Sequence, residues 1–566
     1  MKIFQRIWGK TLLAGLLTMG LLTSCSLDED PESLVLEESI EDSEDGVDYW
    51  VTGVYSKYVY DMFCWGYFPR VLEFDADYVT GPDWFFNKFG QGEFQAEPDV
   101  TDALWKGCYG LIERANNALR HIRAMKNVDA EVKNNAIGEM YFHKALAYFL
   151  LVRAYGDVPI VPEEVQTDYN NARRPVAEVY SHIRSLLVDA SNLLYVNSDS
   201  RYERGHVAAG SAVGLLVKML CTEASAAMPA GTQIVVHNDQ AYDTTDGITT
   251  RRILGTKVCT KTAVSGYESL DHDALYAEAV EWGDKLLAGD YGTYALSDFD
   301  RLWSRAGRYD SEFLFQVYVP NNDPTYKTSV HTQYSGYMTA TGSDVLQNGK
   351  YIGCTYQWYQ LFEKNDRRVT DGVVHRWRNY TMLSSGDSFY YPDDDTYNSL
   401  RNEWSAEDGI NYYCNKSYQC IAFTTKYSDV TDDAIENADS PWPFLRLADV
   451  YLMLAEAKNE TGDKEGAIAL VNQVRQRSNA SAWQAADKTQ EGLRSDIIEE
   501  RARELACEAD RRWDIIRWGI YLEAMNQVVS DDSGLSKLRS ARHLLYPIPT
   551  QEINTNKAIK QNPGWQ

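Results

Sequence analysis

The sequence predicts a mainly α fold, a tetratricopeptide-like scaffold of about four helix pairs interrupted by large irregular loop-rich insertions bearing short strands. Three observations carry this expectation. Apolar residues recur at steps of three and four over long segments that fall in pairs, as amphipathic helices packed side by side require. The pair at 443–460 and 464–478 follows the tetratricopeptide spacing, with Tyr451, Leu454 and Ala455 in its first helix and Ala467, Val471 and Val474 in its second. Gly462-Asp463 makes the turn, and Lys458 departs from the repeat where tyrosine is usual. Small residues at such steps let helices approach while large ones fill the groove against the next pair. Third, residues 291–440 have few helical patterns, and 13 Tyr and Trp fall within the 70 residues from Tyr351 to Cys420, against 53 in all 566. A ring-rich stretch without helical period belongs to an insertion.

In chain order, Lys2, Arg6 and Lys10 precede an apolar run from Thr11 to Leu22 that is too short to span a bilayer. Residues 1–24 therefore read as a signal peptide. Leu22-Thr23-Ser24-Cys25 resembles the bacterial lipobox, which implies that Cys25 is acylated. Residues 25–45, with ten Asp and Glu between Asp28 and Asp45, read as an extended acidic tether, and an acidic run at this place resembles the surface-export signal of Bacteroidetes lipoproteins.

A single domain is expected over 46–566, with helix pairs at 47–60 with 102–125, 132–155 with 176–194, 206–226 with 273–288, and 443–460 with 464–478. Between the first two helices lie Trp65, Tyr67, Phe68, Trp84, Phe85, Phe86 and Phe89, with no period that would bury every ring, so some are expected to face a ligand. A second insertion, rich in Thr, Gly and Asp, follows Pro229. In the third, Phe313–Val319 alternates as a short strand does, and Trp358–Phe362 starts a short helix ending at Asp366-Arg367-Arg368, a charge cluster read as structural. Ser495–Gly519 predicts one buried helix. Ile498, Ala502, Leu505 and Ala509 form its apolar stripe, and Glu500, Glu504 and Glu508 form an acidic one, with Arg501, Arg503, Arg511 and Arg512 in reach. Such carboxylates read as structural ion pairs rather than as catalytic groups.

The net charge is −27, and −30 once residues 1–24, which hold three cations and no acid, are removed. So acidic a chain repels phosphate backbones, which argues against nucleic acid as a partner and leaves membrane attachment to the lipid. Beyond Cys25 there are eight cysteines without metal-type spacing; Cys414 and Cys420 could bridge a loop, and free buried thiols account for the rest equally well. Asp393, Asp394 and Asp395 read as a solvated loop, and no metal or cofactor is expected. No GxSxG, HExxH, P-loop or dinucleotide fingerprint occurs.

Four stretches together carry a family resemblance: AYFLLVRAYGDVPIV at 147–161, FLRLADVYLMLAEAKNETGD at 444–463, ERARELACEADRRWDIIRWG at 500–519 and LYPIPTQEINTNKAIKQNPGW at 545–565. With the lipobox, they resemble the SusD/RagB family of Bacteroidetes outer-membrane lipoproteins. Cys507 and Ala509 depart from its more usual residues. The resemblance implies a non-catalytic surface protein, lipid-anchored in the outer membrane and facing outward. It would capture oligosaccharide and deliver it to a SusC-like TonB-dependent transporter. Sugar C–H faces stack on Trp and Tyr rings, and polar side chains pair with hydroxyls.

The family's ligand residues vary, so the candidates come from ring placement. Trp84 with Asn87 is the first choice, with Arg70, Asp77 and Asp83 as polar neighbours. Trp303, Tyr309, Tyr334, Tyr337 and Trp358 are chosen from the large insertion. Core packing recruits the same ring types. Two alternatives stand beside this reading: a peptide-uptake lid of the RagB type, and a glycoside hydrolase.

Overall fold

The computed structural model describes residues 40–63, 67–94, 100–166, 170–239, 242–245, 248–251, 255–319, 327–341, 344–348, 350–378, 388–413 and 421–565. Cys25, the signal peptide and most of the acidic tether lie outside them, as do Cys414 and Cys420. The tether's last residues are already part of the fold. Ser43 caps helix α1 (Glu44–Lys57) through the Gly46 amide, and Asp42 accepts from the amides of Lys126 and Asn127.

Helices α2 (Tyr67–Glu73) and α3 (Asp83–Gly90) follow, separated by strand β1 (Val79–Thr80). The scaffold then runs through α4 (Val100–Ala124), α5 (Ala130–Tyr155), α6 (Val176–Leu193), α7 (Ala209–Ala227) and α8 (His272–Ala288). Each packs on the next: α4 on α5, α5 on α6, α6 on α7 and α7 on α8, while α1 lies against α4 and α5. Two more helices, at Leu447–Glu460 and Lys464–Arg477, form the pair with tetratricopeptide spacing, and the first of them also packs on α7 and α8. The fold is thus mainly α and built from helix pairs. Close approach depends on missing side chains. A Cβ at Gly283 would stand 2.7 Å from Leu454 Cδ1, and one at Gly214 would stand 2.4 Å from Leu314 Cδ2. Apolar side chains from all of these helices form one continuous core.

The insertions supply the strands. The segment after Pro229 pairs β2 (Gln233–Asp239) with Gly255–Thr260 and Tyr242–Thr245 with Ile248–Arg251, both antiparallel. Phe313–Val317 pairs antiparallel with Trp442–Arg446, so residues 443–446, expected to open a helix, belong to a strand instead. That pairing closes the base of the large insertion onto the scaffold.

The expected single helix over 495–519 is two. One helix spans Gln490–Glu504, the next Arg511–Arg517, and between them Cys507 and Ala509 adopt φ of 62° and 66°. Lys426 stops the first helix by donating from Nζ to the carbonyls of Glu504 and Ala506, which have no partner inside the helix. The carboxylates are structural. Glu504 pairs with Arg446 at 2.7 Å, Arg368 at 3.2 Å and Arg477, and Glu500 with Arg368 at 2.7 Å, Arg475 at 2.7 Å and Arg503 at 2.9 Å. Burial alone would raise the Glu500 carboxyl, but Arg368, Arg503 and Arg475 outweigh it and hold it down to about 2.

Candidate functional site

The β1 strand pairs antiparallel with Gly353–Cys354, Val79 opposite Cys354 and Thr80 opposite Gly353. This short ladder sends the chain into α3 beside residues 350–352. Pro82 opens α3, and Trp84 follows in its first turn. On the other side, the amides of Tyr351 and Ile352 both donate to the Gln333 carbonyl, at 2.7 and 2.9 Å. Lys350 just before them holds φ of 64°, a conformation that turns the chain sharply. Two segments distant in sequence thus present their rings together.

Trp84 is 57% exposed, the most open tryptophan among the described large apolar side chains. Its indole meets Tyr351 edge-on at 5.1 Å between centroids and Phe85 at 5.6 Å. Phe85 tilts against Tyr351 at 4.7 Å and Phe74 at 5.4 Å, and the Arg70 guanidinium sits 3.9 Å over the Phe85 ring. Phe74 is buried, Phe85 and Tyr351 are half-buried, and Trp84 stands out from them. A braced, outward-facing indole gives up little conformational freedom when a sugar face or another flat apolar group stacks on it. Behind the cluster, the buried Lys350 ammonium lies 4.3 Å from the Trp377 ring, and burial pushes it well below the usual lysine range.

The other expected site residues scatter. Asp77 is fully buried and receives two hydrogen bonds from Arg511, each 2.8 Å, plus one from Asn238; this corrects its choice as a surface hydrogen bonder, because its oxygens are used inside. Tyr334 is also fully buried, packed between Tyr427 at 5.1 Å and Trp442 at 5.8 Å. Trp358 is buried and donates from Nε1 to the Ala502 carbonyl at 2.8 Å, fastening the large insertion to the Gln490–Glu504 helix. Neither ring can reach a ligand on the surface. Trp303 is half-buried under the Lys426 and Arg446 cations, at 4.9 and 5.5 Å, and away from the Trp84 cluster. Tyr309 is 52% exposed and stacks on Tyr318 at 4.4 Å and 1°, beside Gly205 in the α6–α7 connection. Among the described residues no ring contact joins Trp303 or Tyr309 to Trp84. Asp83, Asn87 and Tyr337 lie on described elements, but their side chains fall outside the described ones.

Sequence reasoning missed Tyr351 as a partner of Trp84. Only the density of rings after position 350 pointed toward it, and nothing there distinguishes a surface tyrosine from a core one.

Two family models cover most of the chain: one for the SusD family matches residues 320–565, and one described as starch-binding associating with outer membrane matches 26–218. The chain belongs to the SusD/RagB family. A SusD-like protein of Formosa agariphila is 24% identical over 95% of this chain and 94% of its own. Among solved structures, a SusD homolog from Bacteroides thetaiotaomicron superposes with a TM-score of 0.71 at 18% identity, covering 94% of this chain and 98% of that one. Surface glycan-binding protein A from the same organism, solved in complex with laminarihexaose, gives 0.66 at 17% identity, covering 92% and 99%. These likenesses show that the SusD fold extends over the described chain. In this SusD-family chain the Trp84 cluster lies on the insertions, outside the helix pairs.

Proposed function

We propose that the protein is a surface glycan-binding lipoprotein, which captures oligosaccharide on the Trp84–Phe85–Tyr351 cluster and delivers it to a SusC-like TonB-dependent transporter. The observation that carries this reading is the exposed indole of Trp84, braced by two rings and offered to solvent. A sugar ring stacks its C–H face on the indole, while Arg70, Asn87 and Asp83 supply hydrogen bonds to its hydroxyls. Tyr309, with its stacked partner Tyr318, and Tyr337 are offered as outlying contacts for a longer chain. Family membership supports glycan as the ligand class, and the laminarihexaose bound by a protein of the same fold makes laminarihexaose the first probe. Binding needs no bond cleavage, so no reducing ends are expected from a bound glycan.

Attachment is assigned to acylated Cys25, with the acidic tether holding the domain off the membrane. Among the described residues no helix is long and apolar enough to cross a bilayer, which fits a lipid as the anchor.

The test is affinity electrophoresis of the domain against a panel of polysaccharides, starting with laminarin, followed by calorimetry with Trp84→Ala. Retardation by at least one glycan, lost or weakened in the variant, supports the reading. Retention of peptides instead, indifferent to Trp84→Ala, would turn it toward the peptide-uptake lid.

A further inference from the structure

A cavity lies among the helix pairs and the C-terminal segment. It encloses about 250 Å³ between the end of α5, the 262–267 loop and residues 541–545. Its walls are mostly apolar, including Val152, Val176, Val264, Trp513, Leu544 and Leu545. One wall carries Arg153.

The many buried arginines of this chain hold carboxylates: Arg446 has Glu312, Glu504 and Glu508, Arg501 has Asp449 and Asp514, and Arg511 has Asp77. Arg153, which is half-buried, has none within ion-pairing distance among the described residues. Its Nε donates to the Phe149 carbonyl at 3.2 Å, and its guanidinium lies 4.0 Å from the Phe149 ring and 5.0 Å from the Trp513 ring. The rings hold the guanidinium in place without neutralising it. Burial pulls Arg153 below the usual guanidinium range, an effect that an added anion would reverse. The cavity's fully buried cation, Arg517, is already matched by Glu456 at 2.5 Å and Asp514 at 2.9 Å, and Arg542 is exposed at the rim over Trp565. Arg153 thus faces the cavity as a half-buried cation with no carboxylate in hydrogen-bonding reach, Asp510 and Asp449 acting on it only from a distance.

We propose that this cavity binds a small monocarboxylate with an apolar body, its carboxylate on the Arg153 guanidinium and its hydrocarbon against the valine, leucine and tryptophan walls. A guanidinium fork matches a planar carboxylate bidentately, whereas a dianion would leave one charge uncompensated in apolar surroundings. The volume equals that of roughly eight liquid waters, room for a medium-length chain but not for a polysaccharide. The site is separate from the Trp84 cluster.

Calorimetry of the full domain with octanoate tests it, with octan-1-ol as the uncharged control. Ser265 lies exposed on the lining, so Ser265→Trp obstructs the cavity without touching the core. Saturable octanoate binding is expected, weakened about tenfold or more in Arg153→Gln, since charge-assisted hydrogen bonds are among the stronger ones. It is expected to be abolished in Ser265→Trp, a variant that retains glycan affinity. If Arg153→Gln fails to fold, the octan-1-ol comparison carries the charge test. Octan-1-ol binding as tightly as octanoate would overturn recognition of the carboxylate. Absence of octanoate binding to the wild type, or binding unchanged in Ser265→Trp, would overturn the site.

Discussion

Glu73 shows how one residue departs from the rule that governs this fold's buried acids. It ends α2 almost fully buried, and its Oε2 has no hydrogen-bond partner among the described residues. Burial pushes its carboxyl up to about 8, opposed by the hydrogen bond from the Ala509 amide. The folded protein thus holds a proton that the unfolded chain releases above about pH 4.5. With a raised folded value, the group's contribution is fully favourable below the unfolded value and is lost as pH rises toward the folded one. Glu73→Gln keeps the shape and removes the titration. The variant and the wild type are expected to melt alike near pH 4, and the variant is expected to be more stable by about 4 kcal/mol at pH 8. Thermal unfolding over that range checks it; a difference that does not grow with pH would show Glu73 ionised in the fold. At the same scale, residue type alone could not sort the rings. Trp84, Trp358 and Tyr334 are equally aromatic in sequence, yet one stands in solvent and two are core, because core and ligand surfaces both recruit aromatics.

Among the elements, the helix pairs were legible because each keeps a 3.6-residue period over at least 14 residues. The break after Glu504 was not. Apolar steps continue through Leu505 and Ala509, and what stops the helix comes from distant chain: Lys426 on its terminal carbonyls, the Tyr427 hydroxyl on the Cys507 carbonyl, and Arg446 on Glu508. The ladder that joins Trp84 to Tyr351 is two residues long on each strand, too short to leave a pattern. The ion-pair lattice of the Gln490–Glu504 helix has its own expected outcome. Glu504→Gln leaves Arg446, Arg477 and Arg368 short of a charge in a buried place, and should lower unfolding free energy by about 3 to 5 kcal/mol. Glycan affinity of the folded fraction is expected to stay unchanged, since this lattice lies behind the insertion. Denaturant titration beside calorimetry separates the two; lost binding at unaltered stability would assign these carboxylates to the ligand site.

For the whole molecule, the helix pairs share one large core, a smaller one joins β2 to the Trp518–Met525 region, and the insertions turn most of their described rings inward while Trp84 and Tyr309 stand out. Such a division lets loops change ligand without disturbing the scaffold. Attachment is a separate property, which we propose resides in Cys25 and the acidic run after it. Cys25→Ala should leave the domain folded and glycan-competent but no longer in the membrane fraction, which fractionation and immunoblotting would register; retention there would mean that something besides a lipid holds it. The central claim, that the Trp84 cluster is the glycan surface, is tested most directly by calorimetry of Trp84→Ala against the glycan that the wild type binds most tightly. Loss of about 1 to 2 kcal/mol of binding free energy at an unchanged melting temperature is the expected result, in line with aromatic contacts generally. An affinity equal to that of the wild type would contradict it.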